Sequence, residues 1–208
     1  MSLDSLYPFL SSGDSATAAD VLEEVCRSTE AKVRETAELR ALVLEREGRR
    51  LPECADRMAE RFAAGGRLLA FGNGGSSTDA QDLAALFLGS GRGALCLTND
   101  IAAVTALSND VGFDVVFSRQ IAAFGRPRDI AVGLSTSGNS ANLLRAFEEA
   151  DRRGMLTVGL AGYDGGRMAE IDAMDYLFTV PSPSVHRIQE AQTTLYHALW
   201  ELTVDRAK

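Results

Sequence analysis

Two short stretches of this chain concentrate groups able to hold an anion. Gly72-Asn73-Gly74-Gly75-Ser76 follows the apolar run Leu68-Leu69-Ala70-Phe71, and Ser135-Thr136-Ser137-Gly138-Asn139-Ser140 follows Ile130-Ala131-Val132-Gly133-Leu134. In the second stretch three serines and a threonine surround a glycine just before a helical pattern begins. Their hydroxyls, with the unpaired amides of a helix's first turn, can replace the water around a phosphate dianion, and the helix dipole favours its charge. A single serine there would read as an ordinary helix cap, with Ser137 or Asn139 in that role. This density of hydroxyls after a strand predicts phosphate binding instead. In the first stretch Gly72, Gly74 and Gly75 let the backbone approach a ligand, while Asn73 and Ser76 offer side-chain hydrogen bonds. It lacks GxGxxG and the Lys-Ser/Thr of a nucleotide P-loop, which disfavours a dinucleotide or ATP. The expected ligand is a phosphorylated small molecule, a sugar phosphate.

Positioning such loops requires strands that end where helices begin. After Gly66 short apolar runs alternate with longer helical ones, the pattern of an α/β protein whose parallel sheet is doubly wound into three layers. Five strands are expected, near Arg67 to Phe71, Ala94 to Thr98, Ile130 to Leu134, Leu156 to Ala161 and Tyr176 to Val180. Helices are expected near Ser76 to Leu88, Ile101 to Ser108, Phe113 to Phe124, Asn139 to Arg153 and Ser184 to Ala207. Ligands of open sheets sit beyond the carboxyl ends of the strands, where the winding reverses, and both serine-bearing loops belong to that edge.

Upstream, Ala16 to about Glu47 reads as one long helix, with Val21, Val25, Thr29, Val33 and Ala37 recurring at helical spacing, Asp14 or Ser15 as its cap and Gly48 as its end. Pro52 opens a second helix to Ala64, closed by Gly65-Gly66. The long helix either covers a domain face or pairs with another subunit. Residues 1–208 are read as one domain, 1–65 a helical segment and 66–208 the α/β core.

Composition narrows the function classes. A 208-residue chain with 46% hydrophobic and 24% charged residues can fill and cover one core. A net charge of −8 offers no basic surface for DNA or RNA, so direct nucleic-acid binding is not expected. No apolar stretch approaches the ~18 residues of a spanning helix, and Met1 to Ser12 lacks the pattern of a signal peptide, so the expectation is a cytoplasmic protein without a membrane partner. Cys26, Cys54 and Cys96 form no CxxC pair and read as reduced, mostly buried thiols.

Taken together, GNGGS at 72–76, Asn109-Asp110-Val111-Gly112-Phe113, Phe117-Ser118-Arg119, STSGNS at 135–140, Asp164-Gly165-Gly166 and Arg187-Ile188-Gln189-Glu190 resemble the sugar isomerase (SIS) family, in particular its bacterial phosphoheptose isomerases. The resemblance runs in unbroken order from about Arg67 to the C-terminus. It implies a flavodoxin-like strand order, a homotetramer with sites between subunits, and conversion of sedoheptulose 7-phosphate to an aldose phosphate. Carried over by motif, Ser135, Thr136, Ser137 and Ser140 would hold the phosphate with Ser76 close by, and Asn73, Gly74 and Asp110 would face the sugar. Gln189 and His197 match positions that serve catalysis or, in members containing zinc, coordinate it.

The chain departs from the family on the helix after GNGGS. Where a His-Phe-Ala-Glu-Glu type stretch is expected, it reads Asp82-Leu83-Ala84-Ala85-Leu86, so Leu86 replaces the catalytic glutamate and Asp82 a histidine. Leucine cannot accept a proton. Asp82 lies one helical turn, about 6 Å, before Leu86 and becomes the substitute base beside His197 and Gln189; the alternative is a solvated surface carboxylate. His186 and His197 lie about 20° apart around the last helix but ~16 Å along it, so one metal cannot be held by both; across a subunit interface they could combine with Asp82 and Gln189. Zinc is disfavoured by Asp82 and Leu86, and no cofactor is expected. DiaA-like proteins, which associate with the DnaA initiator, are also similar and likewise lack the glutamate; they supply the alternative of a non-catalytic sugar-phosphate sensor or scaffold.

Overall fold

The computed structural model describes residues 18–206. The proposed caps Asp14 and Ser15, and the segment Met1 to Ser12, lie outside the described residues. Two compact units are distinguished, one ending at Ala37 and one beginning at Glu38. Helix α1 (Ala18–Glu47) runs through that division. In the first unit it is solvent-facing, with Val21, Leu22, Val25 and Val33 all more than half exposed.

The second unit continues with α2 (Arg50–Ala63), β1 (Leu68–Gly72), α3 (Gly75–Gly89), β2 (Ala94–Cys96), α4 (Ile101–Asp110), a 3₁₀ turn (Phe113–Val115), α5 (Val116–Phe124), β3 (Ile130–Leu134), α6 (Ala141–Arg152), β4 (Leu156–Gly162), a second 3₁₀ turn (Gly166–Ala169), β5 (Tyr176–Val180) and α7 (Val185–Arg206). The five strands are all parallel in the order β2-β1-β3-β4-β5. This is an α/β doubly wound sheet of the expected flavodoxin-like order.

Successive strand residues point to opposite faces, and both faces here are covered. From β1, Leu68 and Ala70 enter one apolar cluster with Met58, Phe62, Leu83, Phe87, Leu195 and Leu199 of α2, α3 and α7. Leu69 and Phe71 enter the other with Phe117, Ile121 and Phe147 of α5 and α6. There Phe71 lies 5.5 Å from Phe117 and 5.2 Å from Phe147, ring centre to centre. The continuous burial of β1, β3 and β4 explains why their sequences do not alternate between apolar and polar residues. β2 is shorter than expected because it forms the sheet edge and exposes Leu95.

The edge of the sheet away from the loops is tied by carboxylates. Asp129, 1% exposed, accepts the amides of Arg67 and Arg126 and the Arg67 guanidinium. Asp175 accepts both the amide and the hydroxyl of Thr157. These clamps fix β1 to β3 and β4 to β5 at their starts, leaving the carboxyl ends free to carry loops.

Candidate functional site

The two loops leave adjacent strands. β1 and β3 pair directly, with Phe71 opposite Gly133 and Gly72 opposite Leu134, so Asn73 and Ser135 emerge side by side at the point where the strand order reverses. A reciprocal amide pair locks them together. Asn73 Nδ2 donates to Asn142 Oδ1 and Asn142 Nδ2 to Asn73 Oδ1, both at 2.9 Å. Asn142 is buried in the first turn of α6. Its position two residues beyond the serine loop was the available signal, and sequence reading did not use it.

Within the serine loop the groups divide by role. Ser135 is buried; its Oγ accepts the Gly138 amide at 3.0 Å, and its carbonyl receives Gln192 Nε2 at 2.9 Å. It shapes the loop from within. Thr136, Ser137 and Ser140 are half-buried at the rim, and Ser140 is the N-cap of α6 without using its hydroxyl as a cap. Ser137 Oγ accepts the Asn139 amide, which leaves its own proton to donate outward. Behind the loop, the Asp164-Gly165-Gly166 turn acts as a brace. Asn139 Oδ1 accepts the Arg167 amide, and Gly138 has φ +67° with the Gly165 carbonyl so close that a Cβ would lie 1.9 Å from it. Only glycine satisfies both constraints. The amides and dipole of α6 therefore face a rim of hydroxyls, an arrangement suited to a phosphate dianion.

Ser76 is buried in the first turn of α3, and Gly74 caps that helix. Gly75 is overlain by Gln189 of α7; a Cβ there would come within 2.2 Å of the Gln189 amide nitrogen. Gln189 thus sits against the first loop. Asp110 ends α4 exposed, accepting the Asn109 amide at 2.8 Å, and among the described residues no hydrogen bond joins it to the serine loop. His186 is exposed at the start of α7.

Two turns further along the α3–α7 contact, Asp82 Oδ2 lies 3.4 Å from His197 Nε2 and accepts the Tyr196 hydroxyl at 2.8 Å. Asp82 and His197 therefore meet within a single chain, with no need of a subunit interface. Leu86 packs against the apolar core, as does Trp200, which donates to Ser90. His197 stands between the Tyr196 ring, stacked 5.1 Å away, and the edge of Trp200 at 6.3 Å. Asp79, unnoticed in the sequence, joins this cluster. Burial pushes its carboxyl above the ordinary range, against a hydrogen bond from Gln189, and the Asp82 charge adds to the rise. Its Oδ2 is buried without a hydrogen-bond partner.

Among the described residues no group of three or more His, Cys, Asp and Glu side chains is arranged to hold a metal ion. The donors here are one imidazole, one carboxamide, the carboxylate of Asp79 and that of Asp82, already engaged by a phenol. With a single imidazole and no thiolate, and a carboxamide that is a poor ligand, the set fits zinc badly. Cys54 is no substitute, since burial pushes its thiol up to about 12. Cys96 is buried as expected, but Cys26 is exposed.

Comparison with known proteins agrees with this geometry. The SIS domain family profile matches residues 31–162. The phosphoheptose isomerase of Desulfovibrio desulfuricans is 48% identical over 83% of this chain and 84% of its own length, and that of Aquifex aeolicus 40% identical over 81% and 91%. The solved structure of phosphoheptose isomerase GmhA from Neisseria gonorrhoeae superimposes with a TM-score of 0.82 at 39% identity, covering 87% of this chain and 98% of that one. The chain belongs to the SIS domain family, within its phosphoheptose isomerase branch. No helix of the described residues is long and apolar enough to cross a membrane.

The raised carboxyl of Asp79 has a pH signature. A group held above its unfolded value lends stability that is complete at low pH and is lost as pH rises through the folded value. The folding stability of the wild type measured relative to Asp79→Asn, from urea titrations, is therefore expected to fall as pH rises above about 4. Parallel curves for the two proteins would contradict the assignment.

Proposed function

We propose that this protein is an aldose–ketose isomerase acting on sedoheptulose 7-phosphate, with Thr136, Ser137, Ser140 and the first-turn amides of α6 gripping the phosphate, and Asp82 and His197 performing the proton transfers. The observation that carries the reading is the 3.4 Å approach of Asp82 to His197 in the α3–α7 contact, on the helices that also bring Gln189 over the first loop. The substrate follows from the phosphoheptose isomerases to which the chain is similar.

Interconverting neighbouring carbonyl and hydroxyl carbons requires a base that removes a carbon-bound proton and returns it one carbon along, and a second group that moves the hydroxyl proton. Asp82 Oδ2 is occupied by Tyr196 and faces His197, which leaves Oδ1 as the proton acceptor. His197 handles the oxygen-bound proton. Gln189, lying over Gly75, orients the sugar between the two loops together with Asn73, Gly74, Ser76 and Asp110, and Ser135 holds the loop's shape. Asp79, in hydrogen-bond contact with Gln189, holds that amide in place.

The packing of Leu86 against the core, where the family's glutamate stands, favours a second reading: a sensor or scaffold that binds the ester without converting it. Incubation with sedoheptulose 7-phosphate in deuterated water separates the two. Incorporation of deuterium at the proton-transfer carbon is expected, falling about 10²- to 10⁴-fold in Asp82→Asn while phosphate-ester binding persists. Binding without exchange in the wild type would establish the sensor.

We further infer a cytoplasmic homotetramer in which each chain is a single SIS domain with a helical leader. The exposed Val21, Leu22, Val25 and Val33 on α1 support assembly, since apolar residues at that spacing form a helix-pairing stripe. Light scattering is expected to give four times the 22.3 kDa chain mass. A monomer would overturn it.

A further inference from the structure

Asp82 is an awkward base. Its side chain is half exposed, and a short carboxylate on a helix surface samples several rotamers unless something fixes it. Small displacements of a reacting group are costly in rate. We propose that Tyr196 is the positioning residue that fixes the Asp82 carboxylate against His197, an inference that rests on the isomerase reading above.

The geometry gives Tyr196 the required properties. Its ring is 2% exposed, so packing has already removed its freedom and a hydrogen bond from it costs little further entropy. Its hydroxyl reaches Asp82 Oδ2 at 2.8 Å, and the same oxygen is the one 3.4 Å from His197 Nε2. A phenol donating to a carboxylate is a charge-assisted bond, stronger than a neutral one. The stacked rings of Tyr196 and His197 set the imidazole beside the same oxygen. Thr193, one turn earlier on α7, hydrogen-bonds Tyr196, and the negative charges of Asp82 and Asp79 face it from α3. Burial first, and the bond to Asp82 next, push the phenol above its ordinary value, so it remains a donor throughout the working pH range. Burial and the two facing carboxylates thus favour the direction Tyr196 to Asp82, against a smaller opposing effect of Thr193. The carboxylate is pinned through one oxygen, and the other is left to react.

The test is a double-mutant cycle read in two ways. Tyr196→Phe removes one oxygen and keeps the packed ring. It is expected to lower kcat about tenfold with KM within about twofold, and to have no further effect in an Asp82→Asn background. An equal loss in both backgrounds would mean a merely structural role and overturn the proposal. Three-bond NMR couplings that report the Asp82 χ1 angle are expected to show one rotamer in the wild type and averaging in Tyr196→Phe. A single rotamer in both proteins sinks the proposal whatever the activity. If the wild type exchanges no deuterium while the couplings behave as expected, it is the isomerase reading that fails and the positioning contact that stands.

Discussion

Direct pairing of β1 with β3 is the constraint from which the site follows. In the order β2-β1-β3-β4-β5, successive crossovers lie on opposite faces to either side of that pair, so the loops after β1 and β3 diverge and leave a crevice between them. The register that sets Gly72 against Leu134 brings Asn73 and the serine loop to the same level, and the Asn73–Asn142 amide pair closes the join. Two helix N-termini, those of α3 and α6, then face one volume. Their dipoles, with the first amides of α6, supply positive potential at a point on a protein of net charge −8, which is how an acidic chain can accommodate a phosphate ester without a lysine.

Rigidity around the crevice comes from buried polar groups rather than from the loops themselves. Ser135 is bonded through amide, hydroxyl and carbonyl, Gly138 admits the Gly165 carbonyl that a larger residue would exclude, and Gln192 ties α7 to the loop's root. Each is a group whose loss leaves an unsatisfied partner inside the protein, so the loop holds one shape. Against this fixed frame the α3–α7 cluster is electrostatically tense. Asp79 and Asp82 lie on one helix face three residues apart, and the rise in Asp79 comes from burial first, with the Asp82 charge adding a smaller part. Such tension is characteristic of sites arranged for proton transfer, because stability is sacrificed locally to hold reactive groups close.

Much of this was legible in the sequence. β3 and β5 were placed to the residue, because buried parallel strands bounded by turn residues admit few alternatives, and the strand order followed from the family motifs. The helix expected over Phe113 to Phe124 begins instead as a 3₁₀ turn and becomes α-helical only at Val116, since Gly112 at φ +131° leads into it. The long-range pairs escaped. Tyr196 and Asp82 are 114 positions apart, and nothing in the local pattern of α7 distinguishes a tyrosine that packs from one that donates. Likewise Asn142, seen as one polar residue early in a helix, reveals its role only once β1 and β3 are adjacent. Periodicity reports which face is buried; it does not report which buried polar groups find each other.

The most direct test is a crystal structure of the protein with sedoheptulose 7-phosphate bound. The account places the phosphate among Thr136, Ser137, Ser140 and the first-turn amides of α6, with the carbonyl end of the sugar within hydrogen-bonding reach of Asp82 and His197. A phosphate seated elsewhere, or a sugar directed away from that pair, would contradict it.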